Sequence, residues 1–164
     1  MESSLSATSL DLSQIEGLPT SEPDEYRLYT FQSWQVNWVW DRVEPILARV
    51  PLEPGMSLEQ VRKDLCTADA QLWTVWLGPE IEAAWTTRIQ KDPDGSLYCL
   101  AWMCAGQNVS HWIHLTSHME DWAREMGCKD IRVVGRPGWK KYGYRPLYTV
   151  LSKHLGGDNA KSGY

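Results

Sequence analysis

Apolar residues along this chain keep two rhythms, one close to the helical repeat and one close to the two-residue repeat of a strand. Residues 26–31 predict a short strand. Over residues 34–50, Trp34, Trp38, Val39, Val43, Ile46, Leu47 and Val50 fall near helical spacing. That predicts a helix, with Pro45 expected to interrupt or kink it and with Pro51 and Pro54-Gly55 ending it. Ser57 predicts the start of a second helix, because Gln60 stands three residues on in the capping-box position. Its apolar side holds Leu58, Val61 and Leu65.

The rhythm then shortens. Residues 71–77 are rich in Trp and Val, and Gly78-Pro79 marks a turn. Residues 81–90 place Ile81, Ala83, Trp85, Thr87 and Ile89 on one side of a second strand. Lys91-Asp92-Pro93-Asp94-Gly95 is a strong turn signal, since Pro presets φ and Gly supplies positive φ. Residues 96–105 are apolar on both faces, as a strand in the middle of a sheet is.

Helical spacing returns over residues 110–126, where Trp112, Leu115, Met119, Trp122 and Met126 form one stripe. Gly127 and Cys128 supply a C-terminal cap and its apolar follower. Residues 131–134 predict a buried strand, 139–142 a helical turn after Arg136-Pro137-Gly138, and 147–151 a last strand. The chain thus divides into an acidic Ser-rich tail (1–25), a single domain (26–155) and a flexible C-terminal tail (156–164). There are no repeats.

Composition narrows the class. The 164 residues are 43% hydrophobic and 23% charged, as in a globular domain. The net charge of −5 gives no general reason to expect nucleic-acid or membrane binding. Residues 1–25 carry six carboxylates and no Lys or Arg, and on their own cannot bury enough apolar surface to offset their ordering entropy. Neither a signal-peptide pattern nor an eighteen-residue apolar run is present. The four cysteines form no CxxC pair, which argues against a zinc ribbon or a redox motif. Ten Trp stand against one Phe, so large rings must be shared among core, stacking surfaces and interfaces.

The predicted order, two helices, three antiparallel strands, helix, strand, short helix and strand, resembles the GCN5-related N-acetyltransferase (GNAT) fold, an α/β (α+β) architecture with a mixed central sheet flanked by helices. The closest likeness is carried by Trp122-Ala123-Arg124-Glu125-Met126-Gly127-Cys128, then Gly135-Arg136-Pro137-Gly138-Trp139, then Gly143-Tyr144. That version resembles small GNAT-like proteins encoded by tailed bacteriophages near their particle genes. The resemblance covers about residues 34–155.

It implies where acetyl-CoA chemistry would sit. In GNAT enzymes a loop of Gln/Arg-x-x-Gly-x-Gly/Ala pattern presents backbone N–H groups to the pyrophosphate at a helix N-terminus. The matching residues are Gly106, Gln107, Asn108, Val109 and Ser110. Gln107 fits the first position, but Ser110 and Trp112 replace the small residues, and Trp112 is expected to obstruct close approach. Many GNAT enzymes also place a Glu on the central strands as a base acting through water. Residues 96–105 hold no carboxylate; Glu82, with Glu80, is the nearest substitute, against a plain reading as exposed turn residues. Tyr142 and Tyr144 occupy the region of the family's tyrosine acid, against a plain reading as packing aromatics.

Other groupings carry less. His111, His114 and His118 share one side of the predicted helix, but a pair at i, i+4 lacks both a third ligand and the metalloprotease Glu, so no metal is expected. From Lys129 to His154 seven basic residues face one Asp, with Trp139, Tyr142, Tyr144 and Tyr148 interleaved, a pattern suited to single-stranded nucleic acid or to an acidic partner.

Three functions follow as expectations. The first is a non-catalytic binding or structural protein, docked through Trp139, Arg136, Lys140, Lys141, Asp24 and Glu25 to other phage structural proteins or to copies of itself, in a virion or the host cytoplasm, without cofactor. The second is an acyl-CoA-dependent N-acyltransferase using acetyl-CoA, with Gln107 to Ser110 cradling phosphate and Tyr142 or Tyr144 as acid. The third is a nucleic-acid-binding accessory protein.

Overall fold

A computed structural model describes residues 25–135 and 137–156. The expectations for the acidic tail up to Asp24, for Arg136 and for residues 157–164 lie outside the described residues. Strand β1 (Tyr26–Phe31) is followed by a 3-10 turn (Ser33–Gln35), helix α1 (Val36–Leu47) and helix α2 (Leu58–Cys66). Strands β2 (Gln71–Leu77), β3 (Glu80–Lys91) and β4 (Leu97–Ala101) come next, then the two-residue strand β5 (Ala105–Gly106). Helix α3 (Val109–Trp112), a 3-10 turn (Ile113–Thr116), helix α4 (Ser117–Glu125), strand β6 (Cys128–Val133) and a 3-10 helix (Pro137–Tyr142) complete the order.

The sheet runs β1-β2-β3-β4-β6, with β5 paired to β3. All neighbours are antiparallel except β4 and β6, which are parallel because α3 and α4 carry the chain back across one face. α1 and α2 cover the other face. Two apolar layers result. Trp40, Val43, Leu47, Val61, Leu65, Trp76 and Trp102 fill the α1/α2 side. Trp73, Trp85, Cys99, Trp112, Met119 and Trp122 fill the α4 side.

Several predicted boundaries shift for local reasons. The 34–50 helix is shorter. Its first residues form the 3-10 turn, held where the Gln32 backbone N–H donates to Gln35 Oε1 at 2.8 Å. Pro45 sits in the last turn of α1, and the helix ends two residues later. Of the residues at helical spacing, Trp34 and Trp38 are 64% and 55% exposed, while Val39 points inward with Val36 and Trp40. Ser57 does cap α2, accepting from the Gln60 backbone N–H at 3.1 Å, while the Gln60 side chain reaches forward to Asp64.

The 96–105 strand is broken. Ala101 faces Thr87 and Ala105 faces Ala84, so three residues, 102–104, oppose two on β3. That bulge sends both Trp102 and Met103 to the α1/α2 side. A second bulge lies on β3, where Val75 faces Ala83 but Trp76 faces Ile81. Glu82 is the extra residue, and Ile81 therefore packs on the opposite face from Ala83, against the expected alternation. The predicted helix over 110–126 is interrupted by its 3-10 turn, so the three histidines do not line one continuous helical side. The predicted last strand over 147–151 has no regular structure. No described helix is long and apolar enough to cross a membrane.

Two ionic clamps tie neighbouring elements to the sheet. Asp92, in the β3–β4 turn, accepts from both terminal nitrogens of Arg132 at 3.0 and 2.6 Å and from Lys129 at 2.7 Å. Arg132 also lies over the Tyr98 ring, 3.7 Å from its centroid. On the other face Arg88 bonds Asp64 of α2 at 2.8 Å and covers the Trp102 ring at 4.3 Å.

The hydrogen bonds from Arg132 and Lys129 hold the Asp92 carboxyl down at about 2, below its ordinary 3.8. A depressed carboxyl stabilises the fold above its unfolded value and stops doing so as pH falls towards the folded one. Asp92→Asn is therefore expected to lower the melting temperature at neutral pH, with the gap to wild type closing between pH 3.8 and about 2. In the core, Leu47 is fully buried, and Leu47→Ala is expected to cost about 2–5 kcal/mol by urea denaturation.

Candidate functional site

The parallel pair β4/β6 runs together from Leu97 opposite Cys128 to Ala101 opposite Val133, and the Val134 N–H still reaches the Ala101 carbonyl at 3.0 Å. Beyond that point the strands separate. The β4 chain swings through its bulge onto β3, and the β6 chain turns into the 3-10 helix at Pro137. A cavity of about 700 Å³ fills the gap. It passes from one face of the sheet to the other. The α1–α2 loop with Leu52 and Met56 forms one side, while Val109, Trp112 and Met119 form the other. Its floor is Ala84, Trp85 and residues 101–106.

The 3-10 helix supplies the third wall. Trp139, Lys141, Tyr142 and Tyr144 all line the cavity. Trp139 packs edge-on against both tyrosines, with centroids 6.0 and 5.8 Å apart. Its indole also lies on Gly135, where an added Cβ would come within 2.6 Å of the ring. Burial pushes the Tyr144 phenol up to about 12, and the Cys104 thiol beside the cavity likewise to about 12. Both stay protonated at neutral pH.

The loop from Gly106 to Ser110 closes one end. Gly106 and Val109 line the cavity, whereas Gln107, Asn108 and Ser110 are exposed. Gly106 lies so close to β3 that a Cβ there would meet the Ala83 Cβ at 2.5 Å. Asn108 takes the left-handed conformation at φ 55°, which a short amide side chain tolerates. Gln107 is held twice by Glu82: its backbone N–H reaches the Glu82 carbonyl at 3.2 Å, and its amide donates to Glu82 Oε2 at 2.6 Å.

Trp112 does not overhang the loop as expected. Its ring turns down into the core, stacks on Trp85 at 5.7 Å and 9°, and donates its N–H to the Gln107 carbonyl at 2.7 Å. What stands at the loop is thus a charge rather than a bulky ring. The helix behind it, α3, is one turn long before the 3-10 interruption, so few aligned peptides contribute a dipole there.

The sequence-predicted residues therefore fall into two groups. Tyr142, Tyr144, Trp139 and Lys141 share the cavity wall, and Glu82 with Gln107 forms a separate pair at the loop. Glu82 is half-buried at the β3 bulge rather than an exposed turn residue, and Glu80 is exposed. Lys140 is exposed away from the cavity lining, and Glu25 pairs with Arg27 at 3.4 Å on the surface. His111 stands against the Tyr26 hydroxyl at 3.3 Å. Among the described residues no group of three or more His, Cys, Asp or Glu is placed to hold a metal ion.

Sequence reasoning missed the α1–α2 loop and the Trp102-Met103 pair as cavity walls. The only signal was the adjacency of two large apolar residues where a strand should alternate.

No family model and no curated protein matches this chain. Solved structures do. An aminoglycoside acetyltransferase from an uncultured soil metagenomic sample superposes with TM-score 0.60 at 10% identity, over 80% of this chain and 97% of its own. A predicted acetyltransferase from Clostridium acetobutylicum, solved with acetyl-CoA, gives 0.55 at 15% identity over 80% and 97%. A GNAT family acetyltransferase from Staphylococcus aureus gives 0.54 at 12% over 79% and 98%. The chain thus has a GNAT-like fold, and identities this low speak to the fold alone.

The closeness of Gly106 to β3 gives a direct check. Gly106→Ala is expected to push β5 off Ala83 and cost about 1–3 kcal/mol in urea denaturation. Faster deuterium exchange at the Gln107 amide should accompany the loss.

Proposed function

We propose that this chain is a non-catalytic binding protein, which uses the cleft of a GNAT-like scaffold to hold a largely apolar ligand and does not bind acetyl-CoA. The observation that carries this reading is the Glu82–Gln107 pair. In the resembling enzymes this loop offers N–H groups to a pyrophosphate. Here the Gln107 side-chain amide is already donated to a carboxylate at 2.6 Å, and that carboxylate would face any phosphate entering the loop. A carboxylate and a phosphate carry like charges and repel each other.

The cleft supports the other half of the reading. It is walled by indole, methionine and aliphatic groups, and a cavity of about 700 Å³ lies within the usual range for a small-molecule site. Expectations of a virion location rest on the sequence resemblance alone and form no part of this reading.

The alternative is an acyltransferase in which Tyr144, on the cleft wall, would be the acid; burial raises its phenol to about 12, which weakens it for that role.

Calorimetric titration with acetyl-CoA separates the two. No binding at millimolar ligand is expected for the wild type, and Glu82→Gln should bring weak binding into range by removing the charge. Micromolar affinity in the wild type would overturn the proposal and restore the transferase reading. A parallel titration with a ten-carbon primary alcohol, an uncharged and largely apolar probe, should show binding that Ala84→Trp abolishes by filling the cavity floor.

A further inference from the structure

The walls of the cleft are not uniform. Three of the side chains that line it carry charge at neutral pH: Arg49, Glu53 and Lys141. Arg49 and Glu53 follow the end of α1, in the loop that forms one side, and Lys141 belongs to the 3-10 helix of the third wall. The side formed by Val109, Trp112, Thr116 and Met119 has no charged group. Its one hydroxyl, on Thr116, is turned back to the Ile113 carbonyl at 2.6 Å. Charge is thus confined to one part of the rim, and the cleft ends in apolar surface on the α4 side.

The two cations are open to a ligand. Arg88, Lys129 and Arg132 each hold a carboxylate of the domain. Among the described residues, Arg49, Lys141 and Glu53 form no ion pair. Lys141 lies over the Tyr142 ring, 5.3 Å from its centroid. All three charged residues are exposed. Long basic side chains in such a position lay their apolar stems along a wall and keep their charged heads in water. An anionic group at this rim would keep much of its own hydration and gain the two cations, whereas deep in the cleft it would lose its water without a partner.

We propose that the ligand of this cleft is an amphiphilic monoanion, an alkyl chain ending in a carboxylate. The chain lies along the apolar walls, and the carboxylate stays at the rim against Arg49 and Lys141. The inference rests on the reading of the cleft as a site for a largely apolar ligand, and it adds the ligand's chemical class and its orientation. Two cations against one carboxylate leave the lining one positive charge, which a single carboxylate neutralises. Glu82 stands outside the lining, where it holds Gln107 at the loop, and its charge turns an anionic head away from that end. Leu52, Met56, Met103 and Met119 supply the surface for the chain, and thioether side chains adapt readily to an alkyl partner.

Calorimetric titration of the full chain with three ten-carbon probes, decanol, decanoate and decylammonium, at low ionic strength tests the assignment. Exposed charges contribute modestly, so decanoate should bind about threefold to tenfold more tightly than decanol, and decylammonium more weakly than either. Excess decanol should displace decanoate, because the two chains share one cavity. The preference should shrink as salt is raised to about 0.5 M, where rim charges are screened. In the double variant Arg49→Gln, Lys141→Gln the ratio of decanoate to decanol affinity should fall close to one, and in Glu53→Gln it should rise. All three positions are exposed, so these variants should melt as the wild type does.

The outcomes keep the two readings apart. Decanol binding with decanoate no tighter overturns this assignment and leaves the apolar cleft standing. Binding of neither probe overturns both. A preference that survives the double variant, or decanoate that decanol cannot displace, puts the carboxylate elsewhere and overturns the assignment as well.

Discussion

The separation of β4 from β6 is the constraint on which the rest of this structure depends. Two parallel strands that part inside a sheet leave backbone groups without partners, and buried backbone must find partners elsewhere. The chain solves this on the β4 side with the bulge at residues 102–104, which returns Ala105 and Gly106 to hydrogen bonding with β3. On the β6 side it solves it by leaving extended structure for the 3-10 helix at Pro137–Tyr142. The cavity is what remains between the two solutions. Its floor, its walls and the loop that closes it are consequences of where those bonds go.

The unusual supply of indoles becomes intelligible in this frame. Trp73 stacks parallel to Trp85 at 6.2 Å, Trp85 on Trp112 at 5.7 Å, and Trp122 meets Trp73 edge-on at 5.5 Å. These rings hold the α4 layer to the sheet beside the opening, where a row of small aliphatic side chains would leave voids. Trp102 does the same on the opposite face, pinned beneath the Arg88 guanidinium that Asp64 holds. Trp139 closes the third side against Gly135. Trp34 and Trp38 stand apart, exposed and edge-on to each other at 6.1 Å, and the packing of the domain does not require them.

Architecture and activity must be argued separately. The neighbours share the sheet and the order of elements, but the exposed face of the loop is written by Glu82, a residue that reaches it only because β3 carries an extra position there. One inserted residue in a strand thus brings a carboxylate to the loop beside the cleft.

Much of the fold was legible in the sequence. β1 and β2 fall where alternation and β-propensity place them, β3 differs by one residue at each end, and Ser57 caps α2. These features are local: periodicity, caps and turns act over a few residues. The family likeness was legible for the same reason, since it rests on the order of such elements. What the sequence could not decide was non-local. Both bulges, the exposure of Trp34 and Trp38, the inward turn of Trp112 and the pairing of Glu82 with Gln107 depend on which strand lies opposite and how far it slips. The alternation from Ile81 to Ile89 looks unbroken until Trp76 is seen opposite Ile81. The 147–151 segment makes the same point from the other side. Its residues determine a preference for extended structure, but a strand needs a neighbouring backbone to bond, and only the tertiary arrangement decides whether its own chain provides one.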